Sequence, residues 1–427
     1  MAILIIFLAL LAITLINVPI AVGLGIVAVG AILLTQGTDM LLNIPVGMYN
    51  GATNFPLIAI PLFILAGAIM NASGISQRLI AFATAVLGFI RGALAMVSVG
   101  ASLFFAEISG SAVADVAALG SILIPEMKRK GYPLPLATSV ISSSATLAVI
   151  IPPSIPMILY AVMADTSVVQ LFVAGIVPGL LGGLGLMLMS YRFARKYNLP
   201  VEQAFNLPLI WKTFKEAAWA FVLPVVILGT IFGGFVTATE GAAIAVIAAL
   251  FLGLFVYREL DLRQLREAVI EGGVQTAVVM LLVATSTLVG IYLTEVQAPQ
   301  KLAAAIAALT SNKWVVLALL NVLFLVLGLF LHSAAAIILT VPVVMPLVHS
   351  VGIDPVHFGL IVTINLGIGQ QTPPVASVLM TACAIAKADV WQVTKVNVWF
   401  VGVLVGVLML CTYVPAVPMF LVEYFYR

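Results

Sequence analysis

Pro-Pro occurs twice in this chain, at Pro152-Pro153 and Pro373-Pro374, and each pair interrupts a long apolar stretch. Proline has no backbone N–H to donate and clashes with the preceding turn, so a helix does not run unbroken through two in succession. The pairs stand 221 residues apart (373 − 152), about half of the 427-residue chain. The same offset superimposes Pro125 on Pro346 and Gly131 on Gly352, so the breakers recur in register across stretches that otherwise share only apolar character. This is the pattern of a duplication. In a bilayer, a broken helix leaves carbonyl and amide groups that must be buried in protein or line a water-filled cavity. Interrupted apolar segments at corresponding places in two halves therefore point to a transport site.

Composition decides that the setting is a membrane. Hydrophobic residues make up 63% of the chain and charged residues 8%, against about 25% charged in soluble globular domains. The apolar runs are of helical length, about 17 to 25 residues, and lack the alternation of a transmembrane barrel. An all-α polytopic membrane protein follows. The net charge of +2 says little, and no nucleic-acid partner is expected. Cys383 and Cys411 both lie in apolar sequence and read as small buried hydrophobes, so neither a disulfide nor a resident metal or cofactor is expected. The start, through Asn17, has no basic n-region and no small-residue cleavage site, and reads as a first span.

Spans are expected near residues 2 to 17, 20 to 36 and 56 to 73, followed by an amphipathic stretch around Gln77-Arg78 that ends at Arg91. Residues 92 to 127 are mostly apolar and bounded by Arg91 and by Lys128-Arg129-Lys130. As one helix they would measure about 54 Å at 1.5 Å per residue, too long for a hydrocarbon core of about 30 Å. Basic residues at both ends place both on the cytoplasmic side. The segment should enter, turn at Ser109-Gly110-Ser111 and return, as a re-entrant hairpin. The offset puts a second hairpin at 313 to 348, with His332-Ser333 at its centre. Broken spans near 134 to 164 and 355 to 385 carry the Pro-Pro pairs, and spans near 170 to 191 and 395 to 424 close each half. The first repeat is thus 1–191 and the second 218–427, the latter opening with spans near 218 to 236, 241 to 256 and 268 to 293. Between them, 192–217 is a polar linker whose Trp211, Lys212 and Lys215 suit an interfacial helix.

Charge supports this arrangement. With residues 128 to 130 cytoplasmic, the cytoplasmic segments hold all but Lys301, Lys313 and Arg427 of the 18 basic residues. Two inverted repeats result, each with five spans and one hairpin, about ten transmembrane helices in all, with both termini periplasmic.

The stretch Ser142-Ser143-Ser144-Ala145-Thr146 precedes the first Pro-Pro, and Asn365-Leu366-Gly367-Ile368-Gly369-Gln370-Gln371-Thr372 precedes the second. Unwound carbonyls at 142 to 151 and 365 to 372, with hydroxyl and amide oxygens, would make a cage for a hard, weakly charged cation such as sodium. A lone hydroxyl in such a helix more often caps a neighbouring carbonyl; the duplicated constellation is what argues for ions. The hairpin tips complement it. The arms after Ser109, Gly110 and Ser111, and after His332 and Ser333, aim helix N-termini at mid-membrane, where each carries roughly half a positive charge. An anion could be held there without lysine or arginine. Glu107 and Asp115 flank the first tip, and ionisable groups at such depth are costly and often functional, although Asp115 also suits a helix cap.

At these residues the chain resembles the large membrane subunit of the tripartite ATP-independent periplasmic (TRAP) transporters. The resemblance is carried by the segment from Glu107 through Ser109-Gly110-Ser111 to Asp115, the run from Ile124 to Pro133, Ile151-Pro-Pro-Ser154, and Gly367-Ile-Gly-Gln-Gln-Thr-Pro-Pro374. It implies a sodium-driven secondary importer of the bacterial inner membrane, with an elevator-type, inverted-repeat fold. It implies two partners, a small four-helix membrane subunit and a soluble periplasmic substrate-binding protein. The substrates it implies are organic acids bearing a carboxylate, C4-dicarboxylates and sialic acids among them, with a lean to sialic acid. Sodium would bind at the Ser109 to Ser111 tip against the first break and at the His332-Ser333 tip against the second. Candidate ligands are Ser109, Gly110, Ser111, Asp115, Ser143, Ser144 and Thr146 in the first half, and His332, Ser333, Asn365, Gly367, Gln370 and Thr372 in the second. Ser111 maps to His332, so the tips are only partly equivalent. The competing expectations are a stand-alone inverted-repeat anion transporter and an intramembrane enzyme; the latter lacks the clustered carboxylates, paired histidines or activated nucleophile it would need.

Overall fold

The computed structural model describes residues 18–202, 204–307, 310 and 312–426, with positions 9, 12 and 13. The span expected at residues 2 to 17 and the side chain of Ser109 fall outside the described residues. Every regular element among the described residues is helical. Four helices come first: α1 (Ile20–Gln36), α2 (Asn43–Ala52), α3 (Ala59–Ala72) and α4 (Ile75–Leu87). They are followed by α5 (Ala93–Ser109), α6 (Ala112–Arg129), α7 (Leu134–Ala145), a single turn at Leu147–Ile150, α8 (Ile155–Met163) and α9 (Val168–Lys196). A second set begins with α10 (Leu207–Phe232), α11 (Ala238–Phe251), α12 (Leu262–Glu295) and α13 (Ala298–Ala307). It continues with α14 (Lys313–Phe330), α15 (Ser333–Ser350), α16 (Pro355–Gly369), α17 (Ser377–Ala386), α18 (Val390–Tyr413) and α19 (Ala416–Tyr426). Moved by 221, both ends of α6 fall on the ends of α15, and the start of α7 falls on the start of α16.

Local chemistry sets these bounds. Gly110 has φ +57°, in the left-handed region where a Cβ is penalised, and so parts α5 from α6. Ser111 caps α6, its hydroxyl accepting from the Ala114 amide at 3.5 Å. His332 takes that place at α15, with Nδ1 accepting from the Ala334 amide at 3.4 Å. Pro135 and Pro355 stand in the first turns of α7 and α16, where a missing N–H forfeits no intrahelical bond.

Two layers result. In the core, α7 packs against α17 and α18, α8 against α15, and α9 against α16 and α18, so the halves interlock rather than sit side by side. In the frame, α12 carries α1, α2 and α3 along its length, α11 lies on α3, and α10 on α4. Core meets frame where α12 touches α15 and where α3 and α4 touch α5. The most apolar window of Leu134–Met163 is 89% buried and that of Leu207–Phe232 only 33%, which leaves much of α10 facing outward. Since hydrocarbon is as apolar as leucine, contact between such helices depends on close packing. Gly328 of α14 and Gly369 of α16 provide it, for a Cβ built on Gly328 would lie 2.9 Å from the Gly369 Cα.

Two details differ from expectation. Trp211, Lys212 and Lys215 do not form a separate interfacial helix; they occupy the early turns of α10, which Asn206 caps and which runs on to Phe232. The tail expected as one span at 395 to 424 is two helices, because Pro415 drives the preceding Val414 out of helical geometry and ends α18 at Tyr413. Nine helical segments among the described residues are long and apolar enough to cross a membrane. That set includes both arms of α14 and α15, counted in the sequence as one hairpin, and omits α1 and α16, which are shorter.

Candidate functional site

Both Pro-Pro bonds are cis. At the first break α7 ends at Ala145, one more turn reaches Ile150, and extended backbone at Ile151 and Ser154 leads into α8. At the second, α16 persists to Gly369 and α17 starts only at Ser377. The backbone expected to stand open at 142 to 151 and 365 to 372 is therefore mostly helical. The unwound segments are shorter, at 151–154 and 370–376. Proline removes only its own donor, and the turns just before it keep theirs: Ile151 donates to the Leu147 carbonyl at 2.8 Å and Gln370 to the Leu366 carbonyl at 3.1 Å.

Each tip rests on one break. The Gly110 carbonyl accepts from the Ile155 amide at 3.4 Å, and a Cβ on Gly110 would stand 2.7 Å from the Pro153 carbonyl oxygen. Buried Ser333 accepts a hydrogen bond from Gln370 Nε2, and the Val375 amide donates to the Leu329 carbonyl at 3.2 Å. The first turns of α6 and α15 then line a single cleft of about 880 Å³ between core and frame. Asn71, Ser76, Gln77, Glu271 and Gln275 supply polar groups on the frame wall. Glu271 is the one charged residue among the described residues lining the cleft, and no lysine or arginine is among them.

Of the residues expected at the site, Gly110, Ser111, His332, Ser333 and Gln370 reach this cleft. Asp115 is buried one turn into α6, while Glu107 is half-buried on α5 away from the cleft lining. Ser143 and Thr372 turn back on their own helices, donating to the Ser139 carbonyl at 2.7 Å and the Ile368 carbonyl at 3.1 Å. Ser144 accepts from Ser102 at 2.9 Å and so ties α7 to α5. Asn365 Nδ2 donates to Asn321 Oδ1 at 2.7 Å and to the Ile361 carbonyl at 2.8 Å. Its Oδ1 is buried with no donor among the described residues. A Cβ on Gly367 would stand 2.8 Å from Thr146 Cγ2, so glycine allows α16 to cross the end of α7. Pro152, Pro153, Pro373 and Pro374 do not line the cleft; the second pair faces a separate groove beside Trp391.

The residue that joins the two breaks, Gln371, was not among the candidates read from the sequence. It is buried, and its side chain bonds Ser142, Thr146 and Asn397. Asn321, Asn397 and Ser102 were missed as well. A signal existed for the amides: Asn321 and Asn397 are polar residues inside apolar helices, where an unmet donor or acceptor is costly.

Residues 4–417 match the family described as the tripartite ATP-independent periplasmic transporter, DctM component. Across 95% of its length the chain is 40% identical to the isethionate TRAP transporter permease protein DctMQ of Oleidesulfovibrio alaskensis, and it spans 64% of that longer protein. It is 38% identical to the C4-dicarboxylate TRAP transporter large permease protein DctM of Pseudomonas aeruginosa over 89% of each chain. To the sialic acid TRAP transporter large permease protein SiaM of Vibrio cholerae it is 38% identical, over 89% of this chain and 88% of that one. In fold it is similar to the crystal structure of the YdaH transporter of Alcanivorax borkumensis, with a TM-score of 0.64 over 88% of both chains at 16% identity.

Proposed function

The chain belongs to the DctM component family of the tripartite ATP-independent periplasmic transporters, and from that premise we propose that it imports a carboxylate-bearing organic acid together with sodium ions by an elevator movement. The observation that carries the proposal is the convergence of the first turns of α6 and α15 on one cleft lined, among the described residues, by no lysine or arginine. In a poorly hydrated site an anion needs compensating charge. Two helix N-termini give roughly half a charge each, and sodium ions at the breaks give the rest. Sodium prefers oxygen ligands. The side-chain ligands proposed are the oxygens of Ser144 and Thr146 on one side and Asn365 Oδ1 on the other, with main-chain carbonyls at the breaks.

The elevator reading rests on the division into core and frame. The core holds both tips and both breaks, and the cleft lies along its boundary with α1, α3, α4 and α12. Gln77 and Glu271 on the frame wall lie close in sequence to Arg78, Arg263 and Arg266, the cytoplasmic residues under the positive-inside rule. The conformation is accordingly inward-open, in a multi-pass protein of the bacterial inner membrane. A small four-helix subunit would hold the frame, and a soluble periplasmic binding protein would deliver substrate. Identity does not separate dicarboxylate from sialic acid relatives, at 38% each, so the proposal stays at the level of an organic acid.

The test is uptake by the chain reconstituted in liposomes with its small subunit and a loaded binding protein. Uptake should rise with an inward sodium gradient and stop when potassium replaces sodium; equal uptake in both salts refutes sodium coupling. Uptake without either partner would instead identify a stand-alone anion transporter.

A further inference from the structure

The side chain of Gln371 is the direct polar link between the two breaks. Its Oε1 accepts from the Ser142 hydroxyl at 2.6 Å and from Asn397 Nδ2 at 3.3 Å. Its Nε2 donates to the Ser142 carbonyl at 2.6 Å and to Thr146 Oγ1 at 2.6 Å. An amide has two donor hydrogens and two acceptor lone pairs, and here all four are used. Ser142 offers one oxygen that donates and one that only accepts, which matches an amide and not a carboxylate. The main chain is held too, since the Gln371 carbonyl accepts from Asn397 Nδ2 at 3.2 Å. The partners lie 229 and 225 residues away in sequence, so this one side chain fastens the end of α16 to the end of α7.

Its neighbours extend the link. Gln370, the adjacent residue, bonds Ser333 at the second tip. Ser144, close to Ser142 on α7, is bonded to Ser102 of the first hairpin arm. Three sets of polar contacts, Ser333 with Gln370, Gln371 with Ser142 and Thr146, and Ser144 with Ser102, are thus joined through the main chain between the tip of α15 and α5. Every side chain in them is buried. In such surroundings hydrogen-bonded networks are stiff, and breaking one member is felt by the others.

We infer that Gln371 is a positioning residue that couples the two ion-binding regions, so that filling one orders the backbone of the other. This rests on the sodium reading above and adds to it that the ions bind cooperatively. Gln371 touches no ion itself. Because filling one site orders the element it shares with the other, each gains affinity when the other is occupied, by reciprocal linkage, so removing the link lowers cooperativity at both.

The purified chain is titrated with sodium at constant ionic strength in potassium, with thermal stability as the readout, which needs no knowledge of the substrate. The unsubstituted protein should respond with a Hill coefficient clearly above one. Gln371→Met, which fills the same volume without the amide, should bring the coefficient to about one and raise the half-saturating sodium about tenfold, the scale expected of a coupling between sites. Ser142→Ala, which removes only the hydroxyl donor, should fall between the two and should add nothing to Gln371→Met in the double variant. That pattern separates a coupling role from simple destabilisation, which would lower the melting temperature without changing the coefficient; if Gln371→Met fails to fold, Ser142→Ala carries the test. An unsubstituted protein with no sodium response refutes the sodium reading and the coupling with it. A sodium response with a coefficient of one, or one left unchanged by Gln371→Met or Ser142→Ala, overturns the coupling alone.

Discussion

Replacing Asn365 with alanine separates the structural work of its amide nitrogen from the ion-binding work proposed for its oxygen. The nitrogen donates at 2.7 Å to Asn321 Oδ1 and at 2.8 Å to the Ile361 carbonyl, and the oxygen is buried with no donor among the described residues. Losing two hydrogen bonds costs about 1 kcal/mol each, and stranding buried Asn321 Oδ1 adds about 1 to 3 kcal/mol. In potassium, Asn365→Ala should therefore be destabilised by about 3 to 5 kcal/mol. Sodium adds a second, separable term. A ligand at one hundred times its dissociation constant stabilises by about 2.7 kcal/mol, and a tenfold loss of affinity removes about 1.4 kcal/mol of that. The assay compares thermal unfolding in sodium and in potassium at equal ionic strength. The variant should lose stability in both salts and also lose at least half of the increment that sodium gives the unsubstituted protein. Asn321→Ala is the control, since it breaks the shared bond but leaves the Asn365 oxygen, and it should keep the increment. If Asn365→Ala keeps the full increment as well, its oxygen is not a sodium ligand and its role is confined to fastening α16 to α14.

Packing and charge give two further outcomes. Gly328→Ala would place a Cβ 2.9 Å from the Gly369 Cα and 3.4 Å from the Leu366 Cα, backbone atoms that cannot swing aside. Overpacking of about 1 to 3 kcal/mol is offset by about 1 kcal/mol of helix propensity, so melting should fall only modestly while sodium-driven uptake drops at least tenfold as α14 and α16 part; wild-type uptake would show that this approach is not required. Outside the spans, the hydrogen bond from Arg78, at 2.6 Å and 3.1 Å to the two oxygens, holds the Glu259 carboxyl below its usual range. A depressed carboxyl contributes stability above its unfolded pKa of about 4.3 and loses it as pH falls through the lower folded value. The Glu259 side chain is 45% exposed, which limits the pair to about 1 kcal/mol. The stability difference between wild type and Arg78→Met should accordingly shrink as the pH drops below about 4; a difference independent of pH would assign it to the stacking of Arg78 on Tyr257 instead.

Much of the fold was legible because the residues that determine it act locally. Pro152-Pro153 and Pro373-Pro374 end helices wherever they stand, Gly110 turns the chain through a left-handed conformation, and Ser111 caps α6. Long charge-poor runs lead to an all-helical membrane protein with no need to know which helix touches which. Local signals misled where two acted together. The polar look of Trp211, Lys212 and Lys215 suggested a separate helix, yet nothing in those residues stops α10 from continuing through them. The prolines suggested long unwound stretches, but each removes only its own donor, and helix persists to Ile150 and to Gly369.

By itself the sequence determined the recurrence of helix breakers at a fixed offset, the helical membrane class, the places where helices break and the neutral polar residues gathered there. Only the tertiary structure decided which of those residues meet. Ser143 and Thr372 bond their own helices, Asn365 turns to Asn321, and Gln371, with nothing local to distinguish it from Gln370, becomes the tie between the halves. The physical reason is one of range. A proline or a glycine acts within a turn of itself, whereas a hydrogen bond between side chains more than two hundred residues apart depends on the rotation and depth of two helices, and those are set by every contact each helix makes.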